Sequence, residues 1–211
     1  DTTPLITGTT DAAVGSTVSL VVTDSTGAVQ NLTATVQTGG TYSVSPTAPL
    51  AEGVYTVKAT VVSASGVPGT ANDPGNVDTT APTITVSAPD NTNDTTPLIT
   101  GTTDAAVGST VSLVVTDATG AVQNLTATVQ TGGTYSVSPT TALAEGNYTV
   151  KASVTDAAGN TGTANDPGNV DTTAPTITVS APDNTNDTTP LITGTTDAAV
   201  GSTVSLVVTD S

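Results

Sequence analysis

The sequence predicts an all-β chain of tandem sandwich domains, and three observations carry that prediction. The first is repetition. Asp1-Thr-Thr-Pro-Leu-Ile-Thr-Gly8 returns as Asp94–Gly101 and as Asp187–Gly194, a shift of 93 residues each time. A period this long corresponds to one whole domain per repeat, strung like beads. The second is strict alternation of apolar and polar residues, with no helical period of useful length. The third is composition: Thr and Ser suit solvated strand faces, while Asp and Asn cluster with Gly and Pro in turn-forming stretches.

The repeat is framed at Val-Asp-Thr-Thr-Ala-Pro, present at 77–82 and 170–175, so the complete copy runs from Asp78 to Val170. Residues 1–77 are then a truncated repeat lacking its first strand. Residues 171–211 are a partial repeat holding the first three strands. A second frame, starting each repeat at Asp-Thr-Thr-Pro, would assign Asp78–Pro89 to the preceding domain. The sequence leaves both frames open. The chain lacks an initiator Met and ends inside a repeat, so it is expected to be an excerpt of a longer protein.

In the complete copy the elements follow in order. Strand A is Pro82–Val86, with Ile84 and Val86 on one face. Asp90–Thr96 is a polar loop leading to strand B, Pro97–Thr102. Strand C is Thr110–Thr116, with Val111, Leu113 and Val115 inward. The turn Ala118-Thr-Gly-Ala121 leads to strand D, Asn124–Gln130, with Leu125, Ala127 and Val129 inward. Thr131-Gly-Gly-Thr134 turns into strand E, Tyr135–Ser138. Strand F is Tyr148–Thr155, with Tyr148, Val150, Ala152 and Val154 inward and Lys151 outward. Strand G falls within Thr161–Val170, interrupted by Asn165-Asp-Pro-Gly168. Seven short strands with turns every 8–12 residues predict an immunoglobulin-like sandwich.

The core is lean. With no Phe, Trp, Met, Cys or His, it rests on Val, Ile, Leu, Ala and four Tyr. Small lean domains call for an additional staple, and without Cys that staple is not a disulfide. Sixteen Asp and two Glu against two Lys give a net charge of −16. That sign excludes nucleic acid and anionic membranes as partners, and no 18-residue apolar run exists to insert in a membrane. Without His or Cys there is no Ser/His/Asp or Cys/His nucleophile system. Paired carboxylates need a cleft and aromatic platforms to cleave glycosides, and aromatic content is 2%. The chain therefore reads as non-catalytic, with no small-molecule substrate. Tyr148 and Tyr55 read as core or corner residues.

Strand direction sorts the acidic loops by pole. The proximal set is Asp78 in the linker, Asp104 in the B–C loop, and Asp156-Ala-Ala-Gly-Asn160 in the F–G loop. The distal set is Asp90-Asn-Thr-Asn-Asp94, Asp117 and Glu145, joined by Asp171 of the next linker. Asp197 is the third-copy counterpart of Asp104. Carboxylates crowded at a pole repel unless a cation neutralises them, and carboxylate and carbonyl oxygens on loops suit Ca²⁺. The competing reading is that these Asp residues form turns and caps. No loop has EF-hand spacing.

Val170-Asp-Thr-Thr-Ala-Pro175, Asp183-Asn-Thr-Asn-Asp-Thr-Thr-Pro190, Ile192-Thr-Gly-Thr and Thr155-Asp-Ala-Ala-Gly-Asn160 resemble the bacterial Ig-like repeats of giant secreted adhesins. Those repeats form the extender regions of RTX-type, biofilm-forming surface proteins, the ice-binding type included. The resemblance implies a Ca²⁺-rigidified extracellular stalk, exported by type I secretion to the bacterial cell surface, that holds a terminal binding domain away from the cell. It implies neighbouring repeats of the same chain as partners. Its Ca²⁺ ligands would map onto Asp78, Asp90, Asp94, Asp104, Asp156 and Asp171. The first copy departs at Ser63-Ala-Ser-Gly-Val67, which stands where Asp156-Ala-Ala-Gly-Asn160 stands in the second. Two rivals compete with the stalk: an adhesive module that itself binds a ligand, which would need an exposed aromatic or apolar patch, and a filament subunit assembled by strand exchange.

Overall fold

A computed structural model describes residues 1–209. It is all-β, and its two fuller units share one plan. In the first, β1 (Ile6–Thr9) pairs with β4 (Thr41–Val44), facing a four-stranded sheet ordered β3 (Val29–Thr35), β2 (Thr17–Thr23), β5 (Gly53–Val62), β6 (Pro68–Val77). In the second, β7 (Ile99–Thr102) pairs with β10 (Thr134–Val137), facing β9 (Val122–Thr128), β8 (Thr110–Thr116), β11 (Gly146–Thr155) and β12 (Thr161–Val170) in that order. All ladders are antiparallel.

The period-two pattern places the core. Val111, Leu113 and Val115 of β8 are buried, as are Leu125, Ala127 and Val129 from β9 and its exit, and Tyr148, Val150, Ala152 and Val154 of β11. Lys151 points outward. Tyr148 lies opposite Gly168 in the β11–β12 register, and a Cβ on Gly168 would fall 2.3 Å from the tyrosine Cζ. The glycine thus leaves room for the ring to lie flat across the neighbouring strand.

Several boundaries differ from the sequence reading. Strand D starts two residues earlier, at Val122. Strand F begins at Gly146, so Glu145 sits at its entrance. Strand G is not interrupted: β12 runs unbroken through Asn165-Asp-Pro-Gly168. It tolerates Pro167 because it is the edge of its sheet, where a missing N–H breaks no ladder. In the third copy, expected to show three strands, only Ile177↔Thr196 and Ser180↔Thr193 are bridged among the described residues. Residues 203–209 form no ladder among the described residues. Their counterpart β8 is stable because it is hydrogen-bonded on both sides, to β9 and β11.

Segment 82–90 packs on the second core. It bridges β7 and its exit through Ile84↔Thr103 and Ser87↔Thr100. Ala88 is buried in the second cluster, and Ile84 and Val86 pack against it. Tyr135 Oη donates to Thr85 O at 2.5 Å, Tyr148 Oη donates to Pro89 O at 2.9 Å, and Ala88 N donates to Asp166 Oδ2 at 2.8 Å. Burial pushes both phenols up to about 12, with the charges of Asp90 and Asp166 adding to the effect at Tyr148. Both therefore remain neutral donors.

Candidate metal and junction site

The linker Asp78–Thr80 is held from both sides. On the side of the first repeat, Glu52 precedes β5. Its Oε2 accepts from Thr79 Oγ1 at 2.8 Å and its Oε1 accepts from Thr80 Oγ1 at 2.5 Å. On the side of the second repeat, Asn160 Nδ2 donates to Asp78 O at 3.2 Å and lies 3.4 Å from Asp78 Oδ1. The same amide nitrogen donates to Asp156 Oδ2 at 3.0 Å. The other oxygen of Asp156 shapes its own loop, accepting from Ala158 N and Asn160 N at 2.9 Å each.

The fold thus brings Asp78 and Asp156 together across 78 residues of sequence, with Asn160 between them. Two carboxylates and a backbone carbonyl supply hard oxygens of the kind Ca²⁺ takes; the Asn160 amide nitrogen faces all three, and a turn of that amide to present its oxygen would add a fourth donor in place of those hydrogen bonds. Among the described residues no three acidic side chains gather into a metal-holding group. A cation here would be held by two carboxylates, with carbonyls and water completing its shell.

The other acidic residues singled out from the sequence are spread around the poles. Asp104 Oδ1 accepts from Thr83 N at 2.8 Å, fixing the start of segment 82–90. Its counterpart Asp197 does the same with Thr176 N and Oγ1, both at 2.8 Å. Asp94 Oδ1 accepts from Thr96 N and Oγ1. Asp90 lies near enough to raise the Tyr148 phenol by its charge, and next to it Asn91 adopts the left-handed conformation (φ 49°) that Asn tolerates. Asp171 Oδ1 accepts from Thr173 N, and Asp171 N donates to Thr92 O at 2.9 Å, so the outgoing linker leans on the Asp90–Asp94 loop. Asp117 is an internal turn former, accepting from Thr119 and Ala121 with one oxygen and from Ala144 N with the other. In the first copy, Ser63 Oγ accepts from Val67 N at 3.1 Å and so closes the equivalent loop without a carboxylate.

Two pairs of residues carry weight the sequence reading did not give them. Glu52 and Glu145 are the only glutamates, and each takes two linker hydroxyls: Glu145 binds Thr172 at 2.6 Å and also Thr173. Their scarcity, and their repeated position ahead of Gly-x-Tyr, was the available signal. Asp166, with its first-repeat counterpart Asp73, lies in the stretch read as interrupting strand G, yet Asp166 holds Ala88 N.

These contacts bias protonation. The Thr80 and Thr79 hydroxyls lower the pKa of Glu52, those of Thr172 and Thr173 lower that of Glu145, and the Asn160 amide lowers that of Asp156. Thr26, Thr119 and Thr176 hydroxyls do the same for Asp24, Asp117 and Asp197. A depressed folded-state pKa contributes stability that is present above the unfolded value and lost as pH falls through the folded value. Starting from reference values of 3.8 for Asp and 4.5 for Glu, the melting temperature is expected to be flat from about pH 8 to about pH 5 and to fall below about pH 4. A thermal melt unchanged between about pH 6 and about pH 3 would contradict these assignments.

Residues 70–172 match the bacterial Ig-like domain family. No curated protein matches the chain significantly. Among solved structures, the chain is similar to a tetra-tandem repeat from the extending region of a large adhesion protein (36% identity, 92% of this chain and 52% of that one, TM-score 0.43). It is also similar to a 1.5-MDa bacterial ice-binding adhesin (22% identity, 85% and 62%, TM-score 0.47). A third is a Ca²⁺-stabilized adhesin with which an Antarctic bacterium binds ice (28% identity, 85% and 47%, TM-score 0.44). The chain spans between 47% and 62% of the length of these three.

Proposed function

We propose that the chain is a non-catalytic extender segment of a bacterial surface adhesin, made of repeats 1–77, 78–170 and 171–211 and stiffened by Ca²⁺ at its junctions, a reading supported by the match of residues 70–172 to the bacterial Ig-like domain family. The carrying observation is the linker clamped from both sides: Glu52 of one repeat grips Thr79 and Thr80, while Asn160 of the next grips Asp78. A linker tied to both neighbours transmits orientation from domain to domain, whereas a flexible tether would not. Its Pro82 further limits the backbone. Export through type I secretion and a terminal binding domain complete the proposal.

Asp78, Asp156 and Asn160 would hold the Ca²⁺, with Asp104 at the same pole and Asp90, Asp94 and Asp171 at the opposite one. Asp197 would repeat the role of Asp104 in the third copy. Bound metal supplies positive charge where carboxylates meet, and it adds its binding free energy to folding. The Asp78 carbonyl and carboxylate bring the linker to that point, and the Asp156 loop brings the second repeat to it.

The two F–G loops provide an internal control. Asp156→Ser removes from the second repeat the loop carboxylate that the first repeat lacks, whose Ser63–Val67 loop offers only hydroxyls and carbonyls. It is expected to weaken Ca²⁺ binding by about tenfold or more, through the loss of one of two carboxylates. Titration calorimetry showing equal Ca²⁺ affinity for the variant and the parent chain would remove Asp156 from the site.

A further inference from the structure

The first and last strands of the second repeat lie side by side and run in the same direction. Segment 82–90 starts beside the start of β12, where a Cβ on Gly162 would fall 1.9 Å from Pro82 O. The stretch that follows it ends beside the end of β12, where Thr92 and Val170 form a parallel bridge. Four hydrogen bonds close the seam between them. Ala88 N donates to Asp166 Oδ2 at 2.8 Å. Asn169 N donates to Pro89 O at 3.3 Å, Thr92 N to Asn169 O at 3.1 Å, and Asp171 N to Thr92 O at 2.9 Å. The chain enters and leaves the repeat at the two ends of this seam. Asp78 is held by Asn160, just before β12 begins, and Asp171 follows β12 directly.

We propose that this seam is the load-bearing element of the repeat when the chain is pulled from its two ends. Tension between Asp78 and Asp171 draws segment 82–90 toward the start of β12 and draws β12 toward its own end. The two strands are loaded along their length in opposite directions, so the bonds of the seam carry the force together. Strands parted sideways lose their bonds one at a time. Pairing with β7 through Thr85 and Ser87 holds the half of the segment nearer Asp78, and the seam holds the farther half, so release is complete only when the seam parts. Asp166 supplies its strongest single link, a carboxylate accepting from a backbone N–H. Pro89 has no N–H to leave unpaired, and its carbonyl accepts from both Tyr148 and Asn169. β12 is the firmer partner, because it pairs with β11 from Gly146↔Val170 to Thr155↔Thr161. Tension reaches the repeat in a tethered stalk, and in that respect the inference rests on the function proposed above.

Single-molecule pulling at constant force tests the seam, because forced unfolding reports the unfolding rate. The 211-residue chain is held by its ends, in about 10 mM Ca²⁺ and in chelator. Asp166→Ala removes one hydrogen bond to a charged group and is expected to speed unfolding of the second repeat by about 10–100-fold, while the other unfolding events keep their rates. Asp166→Asn, which offers Ala88 N an acceptor again, is expected to recover most of that loss. The direction of pull separates load-bearing from plain stability. The chain has no Cys, so Thr126→Cys and Thr163→Cys supply unique handles on β9 and β12, the two edges of the large sheet. Under this pull across the strands, Asp166→Ala is expected to change the rate far less than under the end-to-end pull. An equal effect in both directions overturns the seam, as does an end-to-end rate that Asp166→Ala leaves unchanged. The parent repeat is expected to outlast the cross-strand pull when pulled end to end at the same force. Equal lifetimes overturn the seam whether or not Asp166→Ala folds. The seam is read in chelator as well as in Ca²⁺, so its failure and the failure of metal stiffening are separate results.

Discussion

Tyr148→Ala is expected to destabilise the second repeat by about 3–5 kcal/mol, the range for removing a large buried ring, and Tyr55→Ala to cost the first repeat only about 1–2 kcal/mol, in keeping with its partial burial. The residues are equivalent in sequence, each five positions after the Leu that opens the same Leu-Ala-Glu-Gly run. Their surroundings differ by one segment. Tyr148 is 1% exposed beneath residues 82–90 and donates to Pro89 O. Tyr55 is only partly buried and lines an open groove. Truncating Tyr148 forfeits ring packing against Gly168 and removes the shorter of the two hydrogen bonds to Pro89 O, which keeps only Asn169 N at 3.3 Å, so cavity and hydrogen-bond costs add. Native-state hydrogen exchange resolves the two repeats in one sample, through the protection of β11 and β5. Equal losses of protection in both variants would show that segment 82–90 does not stabilise the second repeat.

Removing Ca²⁺ is expected to lower the melting temperature and loosen the junction at Asp78. A site filled at about 100 times its dissociation constant adds about 2.7 kcal/mol, and extracellular modules bind Ca²⁺ at about 0.1–1 mM. Partial filling gives proportionately less, so melts at about 10 mM Ca²⁺ and in chelator bracket the effect. For a domain of 93 residues, 1 kcal/mol moves the midpoint by about 4–8 °C. The shift should fall mainly on the second repeat, where the loop carries Asp156 and Asn160. Identical melts in the two conditions would leave Asp78 and Asp156 as turn residues.

Much of the fold was legible because alternation is a local signal. The inward faces of β8, β9 and β11 could be read residue by residue, since a strand's side chains alternate whatever it packs against. Strand G was harder to read. Asn165-Asp-Pro-Gly168 has turn composition, and only the sheet order shows that β12 is an edge where proline is harmless. The choice between frames was equally hidden, because it depends on contacts such as Asp166 with Ala88, 78 residues apart. At the site, acidic loops were visible but their pairings were not. Asp78 and Asp156 meet through Asn160, whereas Asp104 turns to Thr83, and each outcome depends on loop conformation and not on residue type. The glutamate clamps were missed because a carboxylate accepting threonine hydroxyls has no sequence motif of its own.

Clamped linkers are expected to hold successive repeats in line, and small-angle scattering of the dilute chain with Ca²⁺ and with chelator tests this most directly. At about 40 Å per repeat, from strand length plus a short linker, the account predicts a rod-like profile of about 80–100 Å in Ca²⁺. It also predicts broadening of the distance distribution in chelator, and a similar broadening with Glu52→Ala in either condition. A compact, folded-back profile in Ca²⁺, or one that neither chelator nor Glu52→Ala alters, would contradict it.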